Sequence, residues 1–264
     1  MISEKIQTTI LDRLRAAEVE HNVTILYACE SGSRAWGFAS EDSDYDVRFI
    51  YAHRPEWYLS FDVEYRRDVI EYPIVDEIDC GGWDIRKALY LFTRTNGALI
   101  EWLNSPIRYI EKNSFAEQLR NYAPQVMNRL ALQYHYSHMA RRNAREPLFQ
   151  DTVKLKKYFY VLRSLLALRF IEAYGTPPPV EFEKLVQSVA PAAIHSDIYR
   201  LLDSKRNAPE VSQCASVPVI NDFIQKELEQ YANTFSGQGR PDLLDKREIR
   251  ETLNSYFQEA VGRL

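Results

Sequence analysis

Ser31-Gly32-Ser33-Arg34-Ala35-Trp36-Gly37-Phe38, followed by Asp42-Ser43-Asp44-Tyr45-Asp46-Val47-Arg48, is the stretch around which the chain is read. Ile25-Leu26-Tyr27-Ala28-Cys29 before it is a short apolar run of the kind that forms a buried strand. Gly32-Ser33 breaks that strand and can open a short helix. From Asp44 to Tyr51 the residues alternate: Val47, Phe49 and Tyr51 against Asp44, Asp46, Arg48 and Ile50, which predicts a second strand. Residues two apart on a strand share a face, so Asp44 and Asp46 are expected to project together beside the Gly-Ser turn. Two carboxylates on a rigid face suit a hard divalent cation. A Gly-Ser turn at a helix start offers N–H groups and a hydroxyl to phosphate. The combination points to metal-assisted chemistry on a nucleoside triphosphate. A solvated Asp-Ser-Asp turn is the bland alternative, and the strand pattern beginning inside the cluster argues against it.

Gly32-Ser33 with Asp44-x-Asp46 resembles the signature of the DNA polymerase β superfamily of nucleotidyltransferases. The longer string through Trp36-Gly37-Phe38 and Ser43-Asp44-Tyr45-Asp46-Val47-Arg48 resembles its RlaP-like group, associated with RNA ligases and RNA repair. Gly82-Trp83-Asp84-Ile85-Arg86-Lys87 and Glu101-Trp102-Leu103-Asn104-Ser105-Pro106 look like the same group. The resemblance implies an α+β chain: a nucleotidyltransferase-type mixed sheet with helices over residues 1–120, then an α-helical substrate-binding domain over 121–264. It implies transfer from an NTP, ATP being the expected donor, with Mg²⁺ or Mn²⁺ and an RNA or tRNA end as acceptor. Asp44 and Asp46 would hold the metals and Gly32 and Ser33 the pyrophosphate. A third carboxylate comes from Glu77 or Asp79; the family's third carboxylate sits near the end of a strand that precedes a helix, which selects Asp79. Asp84 reads as the cap of the following helix. Arg34 and Arg48 are candidates for phosphate contact, and Arg48, sharing a face with the aspartates, can pair with them instead. Relatives use second-domain helices to reach the triphosphate and base, a role for which Lys157 and Tyr160 are placed.

The 264 residues are enough for one large or two small cores, and 45% hydrophobic with 27% charged residues is an ordinary globular composition. No apolar run approaches the ~18–20 residues of a membrane helix. The N-terminus lacks a signal-peptide layout. Cys29, Cys80 and Cys214 are odd in number and lack paired spacing, which argues against a disulfide framework and against a zinc site. A cytoplasmic protein is expected. Residues 1–125 carry 14 Lys+Arg against 21 Asp+Glu, and residues 126–264 carry 19 against 16. Arg129, Arg141, Arg142, Arg145, Lys154, Lys156, Lys157, Arg163 and Arg169 concentrate the positive excess, which suits a polyanion or is simply a solvated helix face.

Along the chain, a helix is expected at 3–20, strands at 23–29, 44–51, 66–72 and 74–80, and helices from Asp84 to Leu103. From 114 onward only helices are expected: 114–122, 124–145, 151–174, 180–189, 193–202, 218–235 and 247–262. His135 and His138 stand one turn apart, but without a matching acid or thiol they read as packing or phosphate-facing residues. Three function classes follow: a nucleotidyltransferase on RNA, a nucleotide- or RNA-binding protein without turnover, and a protein adenylyltransferase of toxin–antitoxin type. Asp44 and Asp46 are read as a bare pair that repels when no metal is bound, so removing either is expected to leave the metal-free protein as stable or more so.

Overall fold

The computed structural model describes residues 2–144, 148, 150–234 and 247–263. The chain gathers into two compact units: Met1–Gly32 with Asp44–Met127 and Leu243–Leu264, and Ser33–Ser43 with Asn128–Asp242. This partition breaks after Met127 rather than at residue 120, and it departs from a single cut in two further places. Ser33–Ser43 groups with the helices, and the last helix groups with the sheet.

The first unit holds α1 (Glu4–His21), β1 (Val23–Glu30), the first residue of α2 (Gly32–Trp36), β2 (Tyr45–His53), α3 (Pro55–Tyr58), β3 (Val69–Glu71), β4 (Ile78–Asp84), α4 (Ile85–Thr93), α5 (Gly97–Leu103), β5 (Arg108–Glu111) and α6 (Phe115–Val126). The strands form a mixed sheet in the order β3-β4-β2-β1-β5. β2 and β4 are parallel, and the remaining neighbours are antiparallel. Ser3 caps α1 by accepting the Ile6 N–H, and Asn22, left-handed at φ 50°, ends it. Ile10 and Leu14 of α1 pack with Ile25, Val47, Phe49, Tyr51 and Ile78 into one core. On the other face Trp83 of β4 stacks on Trp102 of α5, with centroids 3.8 Å apart. The Tyr27 hydroxyl donates to the Trp102 carbonyl at 2.6 Å.

Two strand expectations need correction. The strand expected at 66–72 is only Val69–Glu71, and the one expected at 74–80 runs instead from Ile78 to Asp84. Asp76 and Glu77 both adopt positive φ, 51° and 62°, and turn the chain back on itself. Glu77 is therefore a turn residue and does not share a strand face with Asp79. Gly81-Gly82, beyond the end of the expected strand, continue it. A Cβ on Gly82 would stand 2.2 Å from the Phe49 ring, so the missing side chain is what lets Phe49 lie against β4. As expected, Asp84 caps α4, accepting the Arg86 N–H at 2.8 Å, while the Tyr58 hydroxyl donates to its other oxygen.

The second unit contains α7 (Arg129–Ala144), β6 (Thr152–Lys154), α8 (Leu155–Tyr174), α9 (Phe182–Val189), α10 (His195–Arg206), β7 (Gln213–Ala215) and α11 (Pro218–Thr234); α12 (Arg247–Gly262) belongs to the first. β6 and β7 pair antiparallel in a ribbon that strand periodicity does not reveal, because three residues are too few to alternate. The helix expected at 124–145 begins at Arg129. Pro124 lies in the last turn of α6, Met127 is extended, and Asn128 restarts the helix by accepting the Ala131 N–H. α8 is buried on nearly all sides, as a central helix must be. Among the described residues no helix is long and apolar enough to cross a membrane.

Two outcomes follow. Gly82→Ala should cost about 1–3 kcal/mol in denaturant unfolding, because Phe49 must move off the strand; an unchanged midpoint would show the contact is slack. Burial pushes the Asp84 carboxyl up to about 6. The unfolded carboxyl releases its proton near 4, so the folded state holds the extra proton between the two values and its stability falls as pH rises through that window. Relative to Asp84→Asn, wild-type Tm should therefore decline from about pH 4 to about pH 6. A constant difference would contradict the assignment.

Candidate active site

Asp46 enters β2 one residue after its start and faces Asp79, its register partner on parallel β4. Arg48, two residues further on the same face, closes the pair. Its Nη2 donates to Asp79 Oδ2 at 2.6 Å and to Asp46 Oδ1 at 3.1 Å. Its Nη1 donates to the Asp79 and Val47 carbonyls. Burial works against the Arg48 charge, but the bond to Asp79 and the charges of Asp79 and Asp46 hold its pKa above the ordinary arginine value. Of the two roles open to Arg48, the geometry shows the ion pair.

Gly32 lies flush against this group. It is left-handed at φ +58°, and a Cβ there would fall 1.8 Å from Asp46 Oδ2. Glycine is required both by the backbone and by the space. The Ser31 N–H donates to the Asp46 carbonyl at 2.8 Å, which ties the turn to β2. Glu30, fully buried, was not singled out from the sequence. Its Oε1 accepts the Asp46 N–H at 2.9 Å and its Oε2 accepts the Tyr109 hydroxyl. It fixes the Asp46 backbone, and the one signal that could have marked it is a carboxylate ending a strand directly before Gly-Ser. Asp44 is exposed and stands one residue before β2 rather than within it.

Arg48 also corrects the stability expectation. Asp46 is paired, so removing it strips a partner from a guanidinium with a side chain only 21% exposed. The two carboxylates already converge on a cationic nitrogen, and their hard oxygen donors suit Mg²⁺. A metal there would compete with Arg48. Among the described residues no three His, Cys, Asp or Glu side chains cluster as a metal site without such rearrangement.

The remaining sequence candidates belong to the second unit. Ser33 is buried at the start of α2, and its carbonyl accepts the Gly37 and Phe38 N–H groups. Arg34 donates to the Ser43 and Glu41 carbonyls, clasping the loop it begins. Lys157 and Tyr160 line one cavity of about 400 Å³, together with Trp36, Arg142, Asn143 and Arg163. Arg163, buried, places its guanidinium carbon 4.3 Å from the Trp36 ring centre. Tyr158, by contrast, packs: its hydroxyl donates to Asn221 and accepts the Val217 N–H. The basic stretch is divided in use. Arg169 pairs with Glu227 at 2.8 Å, Arg141 donates to the Tyr231 carbonyl, Arg142 is exposed, and Arg145 lies outside the described residues.

A family model described as RlaP, the RNA repair pathway DNA polymerase beta family, matches residues 6–259. The chain belongs to that family. It is a nucleotidyltransferase of the DNA polymerase β type, in a family associated with RNA repair. Uncharacterized protein YcgL of Bacillus subtilis (strain 168) is 48% identical over 253 residues, covering 96% of this chain and 95% of its own. A nucleotidyltransferase-like protein from Exiguobacterium sibiricum 255-15 aligns over 94% of this chain and 88% of its own at 12% identity and a TM-score of 0.29, a likeness too weak to bear on the fold.

Asp46→Ala should lower stability by about 1–3 kcal/mol, the scale of a bond between charged groups. Gly32→Ala should cost at least as much and displace the Asp46 carboxylate. Urea unfolding of each against wild type checks both, and an Asp46→Ala protein more stable than wild type would restore the bare-pair view.

Proposed function

We propose that this nucleotidyltransferase moves a nucleotidyl group from an NTP, with ATP as donor, to a hydroxyl at an RNA or tRNA end. The acceptor oxygen bonds to the α-phosphorus, the bond to the β-phosphate oxygen breaks, and pyrophosphate leaves. Mg²⁺, or Mn²⁺, would be held by Asp44, Asp46 and Asp79 and would supply neutralisation of the charge on the transferring phosphate. Asp79 takes the acceptor proton. Gly32 and Ser33 hold the leaving pyrophosphate, and Arg34 and Arg48 add positive charge toward the phosphates. Lys157 and Tyr160 are assigned to nucleotide contact. The observation that supports the reading most is the register pairing of Asp46 with Asp79, their oxygens converging on one cationic point with Gly32 pressed against Asp46.

One observation favours a second reading, a nucleotide- or RNA-binding protein without turnover: Arg48 already neutralises both carboxylates. Incubation with α-phosphate-labelled NTPs, Mg²⁺ and total RNA or total protein separates the readings. Label should enter RNA, and Asp46→Asn or Asp79→Asn should reduce it by on the order of 100-fold or more, the scale of removing an electrostatic stabiliser. Label entering protein instead would move the acceptor to a protein side chain. Binding without any label transfer would establish the second reading.

A further inference from the structure

The far end of β2 carries a second concave feature. A cavity of about 460 Å³ is lined by His21, Tyr51, His53, Trp57, Arg66 and Arg67, with Glu71 at its edge. His53 lies flat on Trp57, with centroids 4.0 Å apart and planes 9° apart. Tyr51 meets His53 edge-on at 5.6 Å, and the Arg66 guanidinium carbon is 5.2 Å from the Trp57 centre. Asp62 and Ser60 orient Arg66, and Glu71 orients Arg67. Burial, with Arg66 and His21 nearby, pushes the His53 imidazole down to about 4, so the stacked ring is neutral at pH 7.

The rim is as informative as the cavity. Trp57 and Arg66, both lining residues, bracket a short connection in which Leu59 is 84% exposed, Phe61 100% and Tyr65 93%. Two aromatic rings held almost wholly in water, on the segment that joins two residues of the cavity lining, match no packing need of this unit. They match the way single-stranded nucleic acid is held: every base offers a π-face to an aromatic ring, and arginines take the phosphates. The volume is that of a small-ligand site.

We propose that this cavity and its rim bind single-stranded RNA. One unpaired base enters against the His53–Trp57 stack, its phosphates meet Arg66 and Arg67, and neighbouring bases stack on Phe61 and Tyr65. A free mononucleotide would leave the rim rings unused, and a duplex would not offer its bases. His53 is seven residues beyond Asp46, roughly 23 Å along the strand, and odd against even on the pleat, so this site is separate from the carboxylates. The choice of RNA rests on the acceptor proposed above; the cavity itself does not.

The test is fluorescence anisotropy with labelled oligouridylate and oligoadenylate, using the full chain without NTP or Mg²⁺. Wild type should bind both. Phe61→Ala with Tyr65→Ala should weaken binding about tenfold or more, the scale of losing stacked bases, with little change in Tm because both rings are exposed. Arg67→Ala should flatten the salt dependence by about 0.7 in log–log slope, one phosphate contact. Absence of RNA binding, or equal binding by the double variant, overturns the proposal. So does self-association that the double variant abolishes while RNA binding persists, since that assigns the rim to a protein interface. If the double variant loses RNA binding while wild type labels no RNA in the transfer assay, this site stands and the RNA acceptor falls. If both label RNA with the same KM for it, the acceptor stands and this site falls.

Discussion

Arg48 donates from one nitrogen to Asp46 and to Asp79, and that bridge holds two carboxylates close together on neighbouring parallel strands. Side by side and unaided, like charges at a cross-strand pair repel. The guanidinium removes the repulsion, and its second nitrogen anchors it to two carbonyls so that it cannot drift. Around this point the backbone is fixed from every side. Glu30 accepts the Asp46 N–H, the Ser31 N–H donates to the Asp46 carbonyl, and Gly32 leaves only enough room for the carboxylate. The carboxylates are thus poised by a cation that chemistry at the same place would have to displace.

The signature string is divided by the architecture. Gly32 belongs to the sheet unit and Ser33–Ser43 to the helical one. Within the helical unit, Phe38 packs on Phe159 and Phe182, and Trp36 meets Tyr160 edge-on. Fully buried Lys205 bonds Ser40 and Glu210, and Glu210 also accepts from Ser43. Burial would raise the Glu210 carboxyl, but Lys205 and Ser43 outweigh it and hold it below the usual range. A buried lysine is costly unless paired this way. Of the apolar letters of the string, Phe38 is therefore a core residue of the helical unit, and half-buried Trp36 lines its cavity.

Much of this was legible in the residues. The alternation of Val47, Phe49 and Tyr51 located β2, Asp84 announced the helix it caps, and the helix expected at 151–174 ends where α8 does, at Tyr174. Local periodicity and cap chemistry are short-range, so a single stretch carries them. Reading failed where a distant partner decided the outcome. The strand expected at 74–80 stops short of Gly81-Gly82, which continue it because Phe49 occupies the space a side chain would take. Residues 74–77 read as strand until two left-handed residues turn the chain. The ribbon of β6 and β7 depends on a pairing about sixty residues apart in sequence.

By itself the sequence determined the α+β class, the places of β1 and β2 and the family, because those rest on patterns written within a few turns or strands. Only the tertiary structure decided that Asp46 and Asp79 are register partners, that Arg48 neutralises both, that Glu30 pins the strand and that Phe61 and Tyr65 stand in water. Strand order and burial are set by contacts between residues far apart in the chain, and no local pattern encodes which distant residue will be the neighbour.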